Sequence, residues 1–354
     1  MNKQLYLHAG FHKTGTSAIQ QFAARNRRRL KAGGVLYPRL WPATFRPQEA
    51  HHFLAHAVAG NERFVTISQT RSLVSRWQRW AGQSGGQVLL SSEAVCRHQL
   101  GQADDRIDRQ RAYLERLANV LEGFEVEPVL VVRRQDEFVR SLYQEHVAAG
   151  LSDSARRTFP DFVEELAAGK IRFLDRLDLF RNVFGRVRVL VYEELASGDL
   201  ARSFFEALGV SGLGGGRFRP VRTSLTVGET LVKQRINRWI ASRNQNRLVL
   251  LWLRSRPVQR IIARELEACH TLWPDVDARR AFVERFDKEN ERIAAEFLNR
   301  GGFLFPPLAA GSAPEVPSPA ESAVDTVVAE AVCATRWRIQ VILGRQAISE
   351  LVKV

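Results

Sequence analysis

The sequence predicts an α/β fold in which a central, mostly parallel sheet is flanked by helices. Short apolar strand candidates recur at residues 4–9, 87–91, 128–132 and 187–192. Segments with helical spacing follow or separate them. A chain of 354 residues, 45% of them hydrophobic, can bury a core on both faces of such a sheet.

Each element has its own signal. Residues 4–9 (QLYLHA) form the first strand candidate; a glycine-bearing turn follows, then a stretch over 17–31 that places Ile19, Phe22, Ala23 and Leu30 at helical spacing. Residues 41–85, rich in His, Trp and Arg, read as short helices and loops at the mouth of a site. QVLLS, PVLVV and VRVLVY supply the later strands. Residues 225–300 are helical by pattern, including the face of 287–298, and are expected to pack beside the sheet rather than form a separate enzyme. The run AAGSAPEVPSPAES reads as a flexible linker. The expected organisation is a globular domain over 1–308, a Pro/Ala/Ser-rich linker over 309–323 and a helical tail over 324–354. That tail suits docking, self-association into a homo-oligomer, or packing back on the body.

Composition narrows the chemistry. The excess of 52 Lys+Arg over 38 Asp+Glu leaves a formal charge of +14, which attracts anionic ligands, acidic polymers or anionic membrane surfaces. Only seven of the bases are lysines, a ratio that a general arginine bias explains as well as function does. Cys96, Cys269 and Cys333 are far apart and form no CxxC pair, which argues against a disulfide framework and a cysteine-rich zinc site. The first residues lack the apolar core of a secretory signal, and no run approaches the roughly 18 apolar residues of a spanning helix. A cytoplasmic protein able to touch a membrane is expected. Residues 248–262 mix a short apolar run with arginines and suit a membrane surface or another subunit, although Pro257 interrupts them and such runs more often make core.

The sharpest motif is Gly10 to Ser17, GFHKTGTS, placed after the first strand and at the start of a helix. There a glycine-bearing loop and a helix N-terminus present backbone N–H groups to an anion. The glycine spacing matches the nucleotide-binding pattern GxxxxGK[ST], but Thr16 occupies the usual lysine position and the lysine has moved forward to Lys13. An NTPase uses that lysine on the terminal phosphates, so the displacement predicts a different anion or a different reacting bond. The segment LHAGFHKTGTSAIQ resembles the 5′-phosphosulfate-binding loop of the sulfotransferase family that uses 3′-phosphoadenosine 5′-phosphosulfate (PAPS). The resemblance implies a P-loop-like three-layer fold. It also implies that Lys13 meets the bridging oxygen as charge develops, that Gly15, Thr16 and Ser17 hold the 5′-phosphate, and that His12 and Thr14 border the donor.

A second segment, VLVVRRQDEFVRSLYQ, carries the other half of the resemblance. The family binds the 3′-phosphate with an arginine at a strand end and a serine eight residues on; Arg133 and Ser141 have that separation. A guanidinium fork and a hydroxyl suit a dianionic phosphate. The pattern RRQDEFxxSLYQ, completed by Tyr143 and Gln144, resembles a bacterial, carbohydrate-acting branch. Asp136 alone would read as an ordinary acid at a helix start. RFRPVRTSL more loosely resembles the family's basic loop over the donor, with Arg222 and Ser224 as the implied contacts.

The implied reaction is transfer of a sulfuryl group to a hydroxyl or amine of an acceptor, a glycan or another polar biomolecule. No metal is required. Glu93, in LLSSE at the end of the second strand candidate, is the candidate base, and His98 is the runner-up. The same position suits Glu93 as a first-turn helix acid. His52 and His56 are spaced i, i+4 and would suit a metal if a third ligand converged, but no HExxH glutamate accompanies them. Two other classes stay open: a P-loop kinase or NTPase, against which stand the displaced lysine and the Arg133/Ser141 pair, and a polyanion binder. No nucleic-acid module is visible, so no specific nucleic-acid partner is expected.

Overall fold

A computed structural model describes residues 3–11, 13–40, 49–100, 105–167, 171–210, 213, 224–308 and 318–352. In chain order its strands are β1 (Gln4–His8), β2 (Val35–Leu36), β3 (Gln87–Ser91), β4 (Glu125–Val132) and β5 (Arg188–Val191). The helices of the first half are α1 (Thr16–Arg25), α2 (Arg27–Ala32), α3 (His52–Val58), α4 (Ile67–Ser84), α5 (Arg106–Val120), α6 (Gln135–Ala149) and α7 (Phe159–Ala167). Next come α8 (Phe173–Phe184), α9 (Tyr192–Ala196), α10 (Leu200–Ala207), α11 (Val227–Asn237), α12 (Arg243–Leu253) and α13 (Arg256–Leu266). The last are α14 (Val276–Glu284), α15 (Asp287–Leu298), α16 (Glu321–Ala334), α17 (Arg336–Leu343) and α18 (Arg345–Leu351).

The strands form one five-stranded sheet in the order β2-β3-β1-β4-β5, parallel throughout. The central strand is β1, with Leu7 beside Leu90 of β3 and Pro128 of β4. Tyr6, Leu89, Val129 and Val131 point to one face, where Ile19 and Phe22 of α1 and Phe204 and Phe205 of α10 cover them. Intervening residues such as Leu7, Leu90 and Leu130 are buried on the opposite face, where α8 crosses β4 and α4 meets β3. Burial on both faces is why the strands read as apolar runs rather than as alternating ones.

The chain divides into two compact units. The first comprises residues 1–134, 172–220 and 288–306, which contain the sheet. The second comprises 135–171, 221–287 and 307–354, and its described secondary structure is helical. Residues 225–287, expected beside the sheet, belong to this second unit. So do residues 324–354, whose helix α16 packs on α11 and α13 and begins at Glu321, inside the expected linker; residues 309–317 lie outside the described residues.

Lys233 on α11 is fully buried in the second unit, with its ammonium directed at the Asn237 side-chain oxygen, Asn246 Oδ1 (2.8 Å) and the Val147 carbonyl (3.4 Å). Burial pushes its pKa down from 10.5 to about 7. The unfolded chain therefore binds the extra proton between these values, so stability contributed at this site rises with pH from about 7 to 10.5 and is lost as pH falls through 7. Wild type should gain on Lys233→Met over that range, at about 1.4 kcal/mol per pH unit at most. Urea denaturation of both proteins at pH 7 and above measures the difference; parallel profiles would show that the three carbonyl oxygens keep the ammonium charged.

Candidate functional site

The sheet order points to one end of the sheet, by the general rule for open parallel sheets, before any side chain is considered. From β1 the chain runs to β2 on one side, whereas from β4 it runs to β5 on the other. Adjacent parallel strands whose outgoing connections diverge leave an opening beyond their carboxyl ends. The loop after β1 and the residues after β4 border it.

The first of these is the GFHKTGTS loop. Its backbone takes left-handed conformations at Gly10 (φ 22°), Lys13 (φ 62°) and Gly15 (φ 77°). Gly15 is the N-cap of α1, and its carbonyl accepts from the Ala18 and Ile19 amides, which starts the helix. A side chain at Gly15 would run into Leu200 of α10. Thr14 is fully buried, and its hydroxyl donates to the Phe11 carbonyl at 2.6 Å, bracing the turn. Phe11 in turn packs on Phe173, with ring centroids 4.9 Å apart. Thr16 and Ser17 open the helix, where the first amides have no intrahelical acceptor. His12 lies outside the described residues.

Arg133 follows β4 directly and donates from Nη1 to the Lys13 carbonyl at 2.8 Å. Its guanidinium carbon also lies 4.6 Å from the centre of the Tyr192 ring. Sequence motifs 120 residues apart thus meet beside the crevice. Ser141 is buried on α6, in the second unit. Much of the surrounding RRQDEFxxSLYQ pattern holds that unit together: Arg279 donates to Asp136 and Glu137, Tyr143 to the Arg157 carbonyl, and Gln144 to the Leu225 carbonyl. Ser224 is exposed, and Arg222 lies outside the described residues.

Below the loop is a histidine to which neither motif gives a role. His8, the last residue of β1, is fully buried, with Nδ1 bonded to Ser91 Oγ at 2.9 Å; Gln20 Nε2 donates to the same oxygen at 3.1 Å. Its Nε2 and the Thr16 hydroxyl are buried without hydrogen-bond partners among the described residues. A Cβ at Gly10 would come within 2.9 Å of Thr16 Oγ1 and 3.1 Å of His8 Nε2, so glycine keeps open the space that both atoms border. Burial pushes the His8 pKa down to about 4, opposed in part by the Glu93 carboxylate, so the ring is neutral at pH 7. The available signal was an imidazole in an otherwise apolar strand.

At the end of β3, Ser92 bonds His52 Nδ1 at 2.9 Å, and Glu93 opens a short 3-10 turn, Glu93–Cys96. Glu93 is half-buried, and its charge is felt at His8. It therefore occupies a first turn and also lies at the carboxyl end of a strand adjacent to β1. His98 is bonded through Nε2 to His56 Nδ1 at 2.8 Å, and burial together with the neighbouring His56 lowers its pKa to about 4. His98 thus belongs with His52 and His56 to one group of imidazoles, and Glu93 follows Ser92 at its edge. The His52 and His56 rings are 6.5 Å apart, and among the described residues no group of three or more His, Cys, Asp or Glu is arranged to hold a metal.

No family model, curated protein or solved structure matches the chain.

Proposed function

We propose that the chain is a PAPS-dependent sulfotransferase with a P-loop-like fold, acting on a hydroxyl or amine of a glycan or other polar biomolecule. The observation that carries this reading is the bond from Arg133 to the Lys13 carbonyl, because it joins the two motifs of the resemblance at the β1/β4 crevice. The buried, unpartnered Thr16 hydroxyl and the open amides of α1 fit a 5′-phosphate group. The guanidinium of Arg133 suits a 3′-phosphate, and Ser141 is assigned to the same phosphate by the resemblance.

The donor would supply a sulfuryl group and a phosphate leaving group. In transfer, the bond from sulfur to the bridging oxygen breaks as sulfur bonds the acceptor atom, whose proton goes to a base. Lys13 and the N-terminus of α1 stabilise the charge growing on the departing oxygen. Glu93 is the proposed base; His98, neutral at pH 7 and already bonded to His56, is the alternative.

Calorimetric titration with 3′-phosphoadenosine 5′-phosphate, beside ATP with magnesium, tests the reading. Metal-independent binding of the bisphosphate is expected, weakened by roughly ten- to a hundredfold in Arg133→Ala, the range for a lost charged hydrogen bond. Preference for magnesium-ATP would favour a kinase or NTPase, and salt-sensitive binding of any polyanion without nucleotide preference would favour a polyanion binder. Either result would remove the sulfotransferase reading.

A further inference from the structure

The second unit exposes an apolar surface that its own packing leaves uncovered. Helices α12 and α17 lie antiparallel, pinned at one end by Trp252 Nε1 donating to Thr335 Oγ1 (2.7 Å) and at the other by Gln245 Nε2 donating to the Ile342 carbonyl (3.2 Å). Val249, Trp252 and Leu253 of α12 and Ile339 of α17 face inward and are buried. The outward residues include Leu251 (62% exposed), Trp337 (70%) and Val341 (83%), with Leu248 at 38%. With these anchors Leu251 lies within one residue of the level of Trp337, and Leu248 within two of the level of Val341. Four large apolar side chains so placed form a patch rather than scattered exposure.

The two stretches that carry these side chains hold charge of one sign. Residues 242–263 contain Arg243, Arg247, Arg254, Arg256 and Arg260, and residues 335–349 contain Arg336, Arg338 and Arg345; neither stretch contains an Asp or Glu. All eight arginines are exposed, and Arg338 lies over the Trp337 ring at 5.0 Å. The nearest acids along the chain are Glu265 and Glu330, both bonded to Arg264, and Glu350 at the far end of α18.

We propose that this face of α12 and α17 docks on the surface of an anionic phospholipid bilayer. A protein partner would need only a matching shape, whereas this combination fits the interfacial region of a membrane. Tryptophan and branched apolar side chains enter between headgroups, while arginines bury their stems and hold lipid phosphates. The proposed attachment is peripheral; among the described residues no helix is long and apolar enough to cross a membrane. The proposal does not rest on the sulfotransferase reading.

Flotation of the full chain with phosphatidylcholine vesicles, with and without phosphatidylglycerol, at low and high salt, is the test. Binding should require phosphatidylglycerol and fall at high salt. It should drop roughly tenfold or more in Trp337→Ser/Leu251→Ser and in Arg247→Gln/Arg338→Gln, given the contribution of each base at an anionic surface. The charge-matched pair Arg76→Gln/Arg79→Gln, on exposed positions of α4, should bind like wild type. If the tryptophan variant fails to fold, Val341→Asn reports on the same patch. Equal losses in the α4 pair would show that net charge alone binds lipid and would overturn the proposal. So would undiminished binding in the patch variants, or patch variants that dissolve a dimer in sedimentation while wild type ignores the vesicles.

Discussion

Lys13→Gly is expected to slow the proposed sulfuryl transfer severely while leaving the protein as stable as wild type or slightly more so. Lys13 holds a left-handed backbone at φ 62°, which costs a side-chain-bearing residue roughly 1–2 kcal/mol that glycine does not pay. Such strain persists where a side chain is needed in one place. In the proposed reaction, the ammonium stabilises charge that appears on the bridging oxygen only as the bond to sulfur breaks. Its loss should therefore lower transfer by roughly a hundred- to a thousandfold, the cost of one preorganised transition-state donor, and weaken bisphosphate binding far less. Thermal melts, calorimetry and transfer of labelled sulfate from PAPS to a panel of glycans and amines measure the three quantities. Lys13→Ala separates them further, since it removes the charge but keeps the strained backbone. Unchanged transfer in Lys13→Gly would exclude the assigned role; a clear fall in melting temperature would make the lysine a structural strut of the loop.

The sheet was legible because its strands are buried on both faces: QLYLH, QVLLS and the end of β4 are apolar runs whose bounds match the observed strands closely. The two-residue β2 is too short to make a pattern. The helix expected over 17–31 breaks at Asn26, which caps α1 and starts α2. Residues 41–85 were expected to hold only short helices, yet α4 runs for eighteen residues; a narrow buried stripe of Thr70, Val74, Trp77 and Ala81 hides in an otherwise polar helix. The Thr66–Gln69 capping box was its readable signal. The glycine turn between β1 and α1 was legible because Gly10, Gly15 and the helix start lie within a few residues of one another. His8 was not, since its role depends on Ser91 and Gln20, which the fold brings in from other elements. Division into two units was hidden for a similar reason: α6 follows β4 without a linker, and the second unit is assembled from three separated segments.

Asp136 belongs to the same class of long-range features, and Asp136→Asn should destabilise the second unit by about 3 kcal/mol, near the lower end of the cost of breaking a buried ion pair. In the sequence it is merely an acid at a helix start. In the fold it is fully buried, and Arg279 of α14 donates to it from Nε at 2.7 Å while also reaching Glu137 at 3.1 Å. Asparagine keeps the shape but takes the nearer carboxylate charge from a guanidinium that is only 12% exposed, with Glu137 at 3.1 Å beside it. Urea denaturation should show the loss, and Arg279→Met in the same chain should recover part of it, because the cost lies in the stranded charge rather than in the missing pair. Bisphosphate affinity, measured where the variant remains folded, separates anchoring from ligand contact. An unchanged affinity beside the lost stability would mean that Asp136 fixes α6, the helix bearing Ser141, against α14. Lost affinity with full stability would instead place the carboxylate in the binding chemistry, and the acidic part of RRQDEF would need a functional rather than a structural account.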